Sequence, residues 1–142
     1  MRKPELGRCA AGFFAVVSLA LTLGLQAALA EDTPYTVVCE GGACKVDKPT
    51  YIGWRTYHSN CHVCHAQDAV GSTFAPSLVE RLNEIDKERF LLVLNEGYTG
   101  QIGVMPGWKD NPNVNKRFEE LYGYLKARAD DVLSPGKPAR IK

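Results

Sequence analysis

Apolar residues toward the C-terminus fall at Val114, Phe118, Leu121, Tyr122 and Leu125, a four-three-one-three spacing that draws one stripe down a helix. Asn111 is placed to cap that helix, with Pro112 in its first turn, where a missing N–H costs nothing. A second helix is predicted from a cap at Asp86 through Leu94, with Phe90, Val93 and Leu94 on one side and Gly97 as its stop. Thr50 to Asn60 reads as a third, with Thr50 as N-cap, and it runs directly into Cys61-His62-Val63-Cys64-His65. Residues 66–76 and 97–108 lack periodicity and read as loops, the second rich in glycine. Ser134 to Lys142, with two prolines and a glycine, is predicted to lie extended on the surface.

The pattern upstream is different. Val37-Val38 and Lys45-Val46 flank Glu40-Gly41-Gly42-Ala43, which reads as a β-hairpin within residues 31–49. A two-residue turn at Gly41-Gly42 sets Glu40 opposite Ala43 in a hydrogen-bonded pair and Cys39 opposite Cys44 in the closer, non-hydrogen-bonded pair. That spacing suits a disulfide between Cys39 and Cys44, closing a loop too small to organise the whole fold.

Cys9 to Ala30 carries no charge. A positive head of Arg2, Lys3 and Arg8, an apolar middle from Phe13 to Leu25 and the small-x-small Ala28-Leu29-Ala30 before Glu31 describe a cleavable export signal over residues 1–30. An uncleaved membrane anchor is the alternative; after cleavage no stable membrane insertion is expected. Arg2, Lys3, Glu5 and Arg8 are the charged residues of that segment, so the chain's 17 basic and 16 acidic side chains become 14 and 15 in the mature form. No basic footprint for nucleic acid remains. The 142 residues, 45% hydrophobic and 23% charged, then describe a small single domain, which gains from burying a bulky apolar cofactor. Export also places the cysteines in an oxidising compartment.

Two cysteines separated by two residues, with histidine immediately after the second, is the spacing for covalent haem attachment. One helical turn between Cys61 and Cys64 lets both thiols reach the two vinyl groups of one haem, and His65 then ligates the iron from below. Two other readings exist. Cys39, Cys44, Cys61 and Cys64 approach the spacing of a four-thiolate zinc module, and Cys-x-x-Cys alone occurs in dithiol redox motifs. The wide first pair and the oxidising compartment count against zinc; the lack of a strand leading into the motif counts against the dithiol.

The ligand on the opposite face follows by elimination. All three histidines lie between positions 58 and 65, so His58 and His62 are too close to the attachment site to reach across the ring. Removal of the signal leaves one methionine, Met105, forty residues after His65 and next to Pro106. A thioether there raises the reduction potential relative to a second imidazole. Histidine plus methionine fills both axial positions, which leaves a one-electron carrier. The alternative is a haem enzyme or gas sensor in which Met105 is packing and the distal position is open.

These motifs resemble those of class I c-type cytochromes across about Thr50 to Arg128. Gly53, Tyr57 and Cys61 are similar to the family's first-helix pattern, and Leu121-Tyr122-Gly123-Tyr124-Leu125-Lys126 to its last helix. The resemblance implies an all-α fold packed around one haem c over residues 50–130, preceded by the hairpin segment and followed by a tail at 131–142. It implies that Gly53 lets those two helices cross closely. Ala75-Pro76-Ser77-Leu78 resembles the family's segment after the haem motif, which makes the Pro76 carbonyl the expected acceptor for the second ring nitrogen of His65. A narrower resemblance, on Gly71 to Leu78, Val104-Met105-Pro106-Gly107-Trp108, Tyr122 to Asp130 and Gly136-Lys137-Pro138, is to periplasmic cytochromes serving pyrroloquinoline-quinone (PQQ) alcohol and methanol dehydrogenases of the lanthanide-dependent type. It implies a reduced quinoprotein dehydrogenase as donor and a terminal oxidase or another cytochrome as acceptor. The Cys39/Cys44 pair and Ala66-Gln67-Asp68-Ala69, where glycines are common, depart from the pattern. Trp54, Trp108, Arg55 and Arg81 are candidate donors to haem propionates, with core packing as the other role for the tryptophans.

Overall fold

The structure, a computed structural model, describes residues 33–142 except Ile102; the proposed export signal lies outside the described residues. Strands β1 (Val37–Glu40) and β2 (Ala43–Val46) form an antiparallel hairpin. Gly41 and Gly42 both take positive φ, 58° and 82°, the backbone that a two-residue primed turn demands. Glu40 pairs with Ala43 and Cys39 with Cys44, and a disulfide joins the two cysteines.

Helix α1 (Lys48–Asn60) starts two residues earlier than the spacing suggests. Its N-cap is Asp47, whose carboxylate accepts from the Thr50 backbone N–H at 3.0 Å. Thr50 itself lies fully buried in the first turn. Asp47 outcompetes Thr50 because Pro49 fits the first turn and a carboxylate there also meets the positive end of the helix dipole. After Cys61, which keeps right-handed backbone, the short helix α2 (His62–His65) follows. Then come α3 (Leu78–Arg81) and α4 (Lys87–Glu96). Helix α4 agrees with its sequence signals: the Asp86 carboxylate accepts from the Arg89 N–H at 2.7 Å, and Gly97 ends it at φ 83°.

The last helix needs correction. Asn111 does not begin it; its side chain accepts from the Asn113 N–H and starts a separate turn, followed by a 3₁₀ turn at Asn115–Arg117. Helix α5 (Phe118–Ala129) begins after a break at Arg117, φ −124° and ψ 13°. A short polar side chain that bonds its own backbone two residues on competes with helix continuation. Val114 is nevertheless fully buried, so the apolar stripe survives the break.

Two small sheets qualify the all-α expectation. The segment read as a glycine-rich loop holds β3 (Gly97–Thr99) and β4 (Val104–Pro106), paired antiparallel with Tyr98 opposite Met105. The tail is not merely extended on the surface: β5 (Ala139–Arg140) joins β2 in parallel, and Leu133 and Pro138 are buried. No apolar periodicity can announce a two-residue strand.

Helices α1 and α5 cross at Gly53. A Cβ built there would stand 1.9 Å from the Glu120 carbonyl oxygen and 2.8 Å from the Tyr124 Cβ, so only glycine permits this approach. Around the crossing pack Tyr57, Tyr124, Leu121 and Leu125, with Leu94, Val46 and Leu133 completing the core. Cys61 belongs to this cluster and Met105 packs against it.

The disulfide closes a separation of five residues, for which chain entropy gives about 2 kcal/mol. Replacing Cys39 and Cys44 together by serine should lower stability in denaturant by about that amount and leave the visible spectrum of the haem protein unchanged. A loss of more than about 4 kcal/mol would mean that the hairpin organises the domain.

Candidate haem site

Cys61 and Cys64 are free thiols one helical turn apart, the first buried and the second exposed. Burial, followed by the charge of Cys64, pushes the Cys61 thiol up to about 12, so it stays protonated at neutral pH. With Cys39 and Cys44 joined in the disulfide, the four-thiolate zinc module lacks half its donor set. Among the described residues no group of three or more histidine, cysteine or acidic side chains is placed to hold a metal ion.

His65 is 6% exposed, and its Nδ1 lies 2.9 Å from the Pro76 carbonyl oxygen. A carbonyl only accepts, so Nδ1 carries the proton and Nε2 keeps its lone pair. Burial holds the imidazole pKa below its usual value, against the smaller upward effect of the Pro76 bond; the ring is neutral and ready to ligate. The connecting loop folds back onto the motif through Gly71 N–H to the His65 carbonyl at 2.9 Å and Ser72 Oγ to the Cys64 carbonyl. Gly71, at φ 86°, makes this return possible: a Cβ there would meet the Ser77 nitrogen at 2.5 Å.

Ala66, Asp68 and Ala69 all take positive φ of 60–66° without being glycine, a backbone that costs about 1–3 kcal/mol at each. Tertiary bonds hold them there. Tyr57 donates its hydroxyl to the Ala66 carbonyl at 2.5 Å, the Asp68 carboxylate accepts from the Gly136 N–H at 2.7 Å, and buried Arg128 donates to the Leu133 and Asp68 carbonyls. The missing glycines are visible in the sequence, but the bracing of Asp68 by Arg128 is not, because the acceptor is a backbone carbonyl sixty residues away.

Met105 reaches the core on β4. Two glycines allow its close packing: a Cβ on Gly97 of β3 would meet the Met105 carbonyl at 2.6 Å, and one on Gly107, just after β4, would meet the Asn95 carbonyl of α4 at 2.7 Å. Trp108 N–H donates to the Leu94 carbonyl at 2.8 Å. The thioether is therefore carried on a braced hairpin.

The segments bearing these groups also expose large apolar side chains: Val63 at 74%, Phe74 at 72% and Val104 at 73%, with Val70 and Tyr98 about half exposed. Two free thiols, an imidazole with an unused lone pair, a thioether and an apolar rim fit a haem. Of the candidate propionate donors, Arg81 pairs with Glu84, Arg55 is exposed, and Trp108 is half-buried against the core. Trp54 stacks in a row with Tyr51 and His58, under the Lys137 ammonium, and its buried indole N–H has no partner in the protein.

Comparison with known proteins agrees with this chemistry. The family model of cytochrome c oxidase, cbb3-type, subunit III matches residues 50–125. The chain is 38% identical over 115 residues to cytochrome c-553I of Paracoccus denitrificans, covering 78% of this chain and half of that relative's length. It is 31% identical over 119 residues to cytochrome c-555 of Methylococcus capsulatus, covering 83% of this chain and 85% of that one. The crystal structure of the c-type cytochrome XoxG from Methylobacterium extorquens AM1 superposes with a TM-score of 0.65 at 34% identity, over 79% of this chain and 76% of that one. With a matching model across more than half of its length and relatives of one kind over most of it, the chain belongs to the c-type cytochromes, electron carriers rather than enzymes, which hold haem c covalently.

Proposed function

We propose that the chain is a periplasmic monohaem cytochrome c that accepts electrons from a PQQ-dependent alcohol or methanol dehydrogenase and passes them to a downstream cytochrome or terminal oxidase. Cys61 and Cys64 hold the haem through thioethers, and His65 and Met105 ligate its iron. The bound haem supplies a one-electron couple. The protein keeps that couple clean: Pro76 fixes the His65 tautomer, β4 carries Met105, and with both axial positions supplied by the chain there is no room for a small exogenous ligand. The observation that carries this reading is the neutral, buried His65 immediately after Cys64, its Nδ1 proton given to Pro76 and its Nε2 free. The donor assignment rests on the sequence resemblance at Gly71 to Leu78, Val104 to Trp108 and Tyr122 to Asp130. Residues 1–30 act as the export signal, and among the described residues no helix is long and apolar enough to cross a membrane.

Stopped-flow mixing of the ferric holoprotein with reduced quinoprotein dehydrogenases tests the partner. The matching dehydrogenase should reduce it to completion with a second-order constant on the order of 10⁵–10⁷ M⁻¹ s⁻¹, and with modest salt dependence because the mature charge is near zero. Reduction no faster than by an unrelated reduced flavoprotein would reject the quinoprotein as donor.

A further inference from the structure

The hairpin that carries Met105 is too small to hold itself. Strands β3 and β4 run for three residues each, and Pro106, opposite Gly97, has no N–H to give the ladder. An isolated two-stranded ribbon is marginal in water, so the position of Met105 depends on what the hairpin packs against. At its base the supports are the Trp108 N–H bond to the Leu94 carbonyl and the close approach of Gly107 to the end of α4. The Glu96–Lys109 pair also lies at this end, but both side chains are half exposed, and such pairs contribute little. At its tip the Gly100 N–H closes the turn onto the Gly103 carbonyl at 2.9 Å, and the side chain lying against that turn is Tyr98.

Tyr98 stands directly opposite Met105, so the two side chains leave the same face of the ribbon. A Cβ built on Gly100 would lie 3.3 Å from Tyr98 Cε1 and 3.8 Å from its Cδ1, so the ring occupies the space over the turn. From α4, the Arg89 guanidinium carbon stands 5.7 Å from the ring centroid, within the range of cation–π attraction. Arg89 is itself fixed in the first turn of α4, where its N–H donates to the Asp86 carboxylate. The ring therefore meets both the turn and a cation carried on a helix, and it ties the tip of the hairpin to α4. We propose that Tyr98 is a positioning residue for Met105: its ring, lodged against Gly100 and Arg89, holds the hairpin closed and so keeps the thioether at the haem iron. This rests on the reading of Met105 as an axial ligand. Both contacts belong to the ring and neither to the hydroxyl, so phenylalanine serves in its place.

Equilibrium titration of the ferric holoprotein with imidazole at fixed pH, followed in the visible spectrum, tests this, because added imidazole binds the iron only where Met105 has let go. Tyr98→Ala should tighten imidazole binding at least about threefold, the joint effect of losing a cross-strand pair and a cation–π contact at a half-exposed ring. Arg89→Gln, a change at an exposed side chain that tests the same contact even if Tyr98→Ala is unstable, should tighten it about twofold. Tyr98→Phe should bind as the original does, and Met105→Ala sets the upper limit. The Cys39→Ser, Cys44→Ser protein, less stable overall but altered in the other hairpin, should also match the original, which separates release of Met105 from general loss of stability. Unchanged imidazole affinity in Tyr98→Ala and Arg89→Gln would overturn the proposal, and so would a Tyr98→Phe protein that binds as tightly as Tyr98→Ala. If Met105→Ala binds imidazole no more tightly than the original, the ligand reading itself fails and the positioning role falls with it.

Discussion

Replacing Gly53 with alanine should remove most of the folded haem protein, lowering stability by at least about 3 kcal/mol against a total of about 5–15 kcal/mol for a domain of this kind. The added Cβ would lie 1.9 Å from the Glu120 carbonyl oxygen and 2.6 Å from its carbon. Both are backbone atoms in the first turn of α5, so no side chain can swing aside. Helix α1 would have to lift from α5, opening the contacts among Tyr57, Tyr124 and Leu121. Cys61 follows directly at the end of that helix, so the displacement also reaches the attachment site. Yield of the exported red protein and its denaturant midpoint measure the effect. A Gly53→Ala protein within about 1 kcal/mol of the original would show that the helices do not cross here.

Met105→Ala should instead preserve the fold and change the iron. Met105 is half-buried, its strand is held by pairing with β3, Gly97 packs closely on the β4 backbone and Gly107 on the end of α4, so truncating the side chain leaves the backbone in place. The cost in stability is at the lower end of the roughly 2–5 kcal/mol seen for buried methionine truncation. Loss of the thioether should lower the reduction potential, since sulfur favours the ferrous state, and axial ligands set potentials across a span of about 0.8 V. Redox titration of the two proteins side by side reads the difference. An unchanged potential and an unchanged ferric spectrum would show that Met105 is packing alone.

Much of this architecture is legible along the chain, for reasons that differ by element. The turn at Gly41-Gly42 fixes the hairpin register, and the register alone brings Cys39 opposite Cys44. Asp86 and Gly97 bound α4 because both signals are local. The spacing from Cys61 to His65 is itself local geometry on one helical turn, and the Pro76 acceptor comes from family resemblance because eleven residues separate it from its histidine. Elsewhere two local signals compete. Thr50 and Asp47 are both good caps, and Asn111 serves its own turn instead of the helix its spacing suggests. The pairing of β5 with β2 and the bracing of Asp68 by Gly136 and Arg128 join residues tens of positions apart, where periodicity carries no information.

The central claim is that the chain itself supplies both axial ligands of a covalently held haem. The most direct test is the visible spectrum of the purified, chemically reduced holoprotein before and after carbon monoxide. A red protein whose spectrum is unmoved by the gas, beside a Met105→Ala variant that takes up one carbon monoxide per chain, is the expected result. Stoichiometric uptake by the unaltered protein, or a colourless preparation after expression with haem-attachment machinery, would contradict the account.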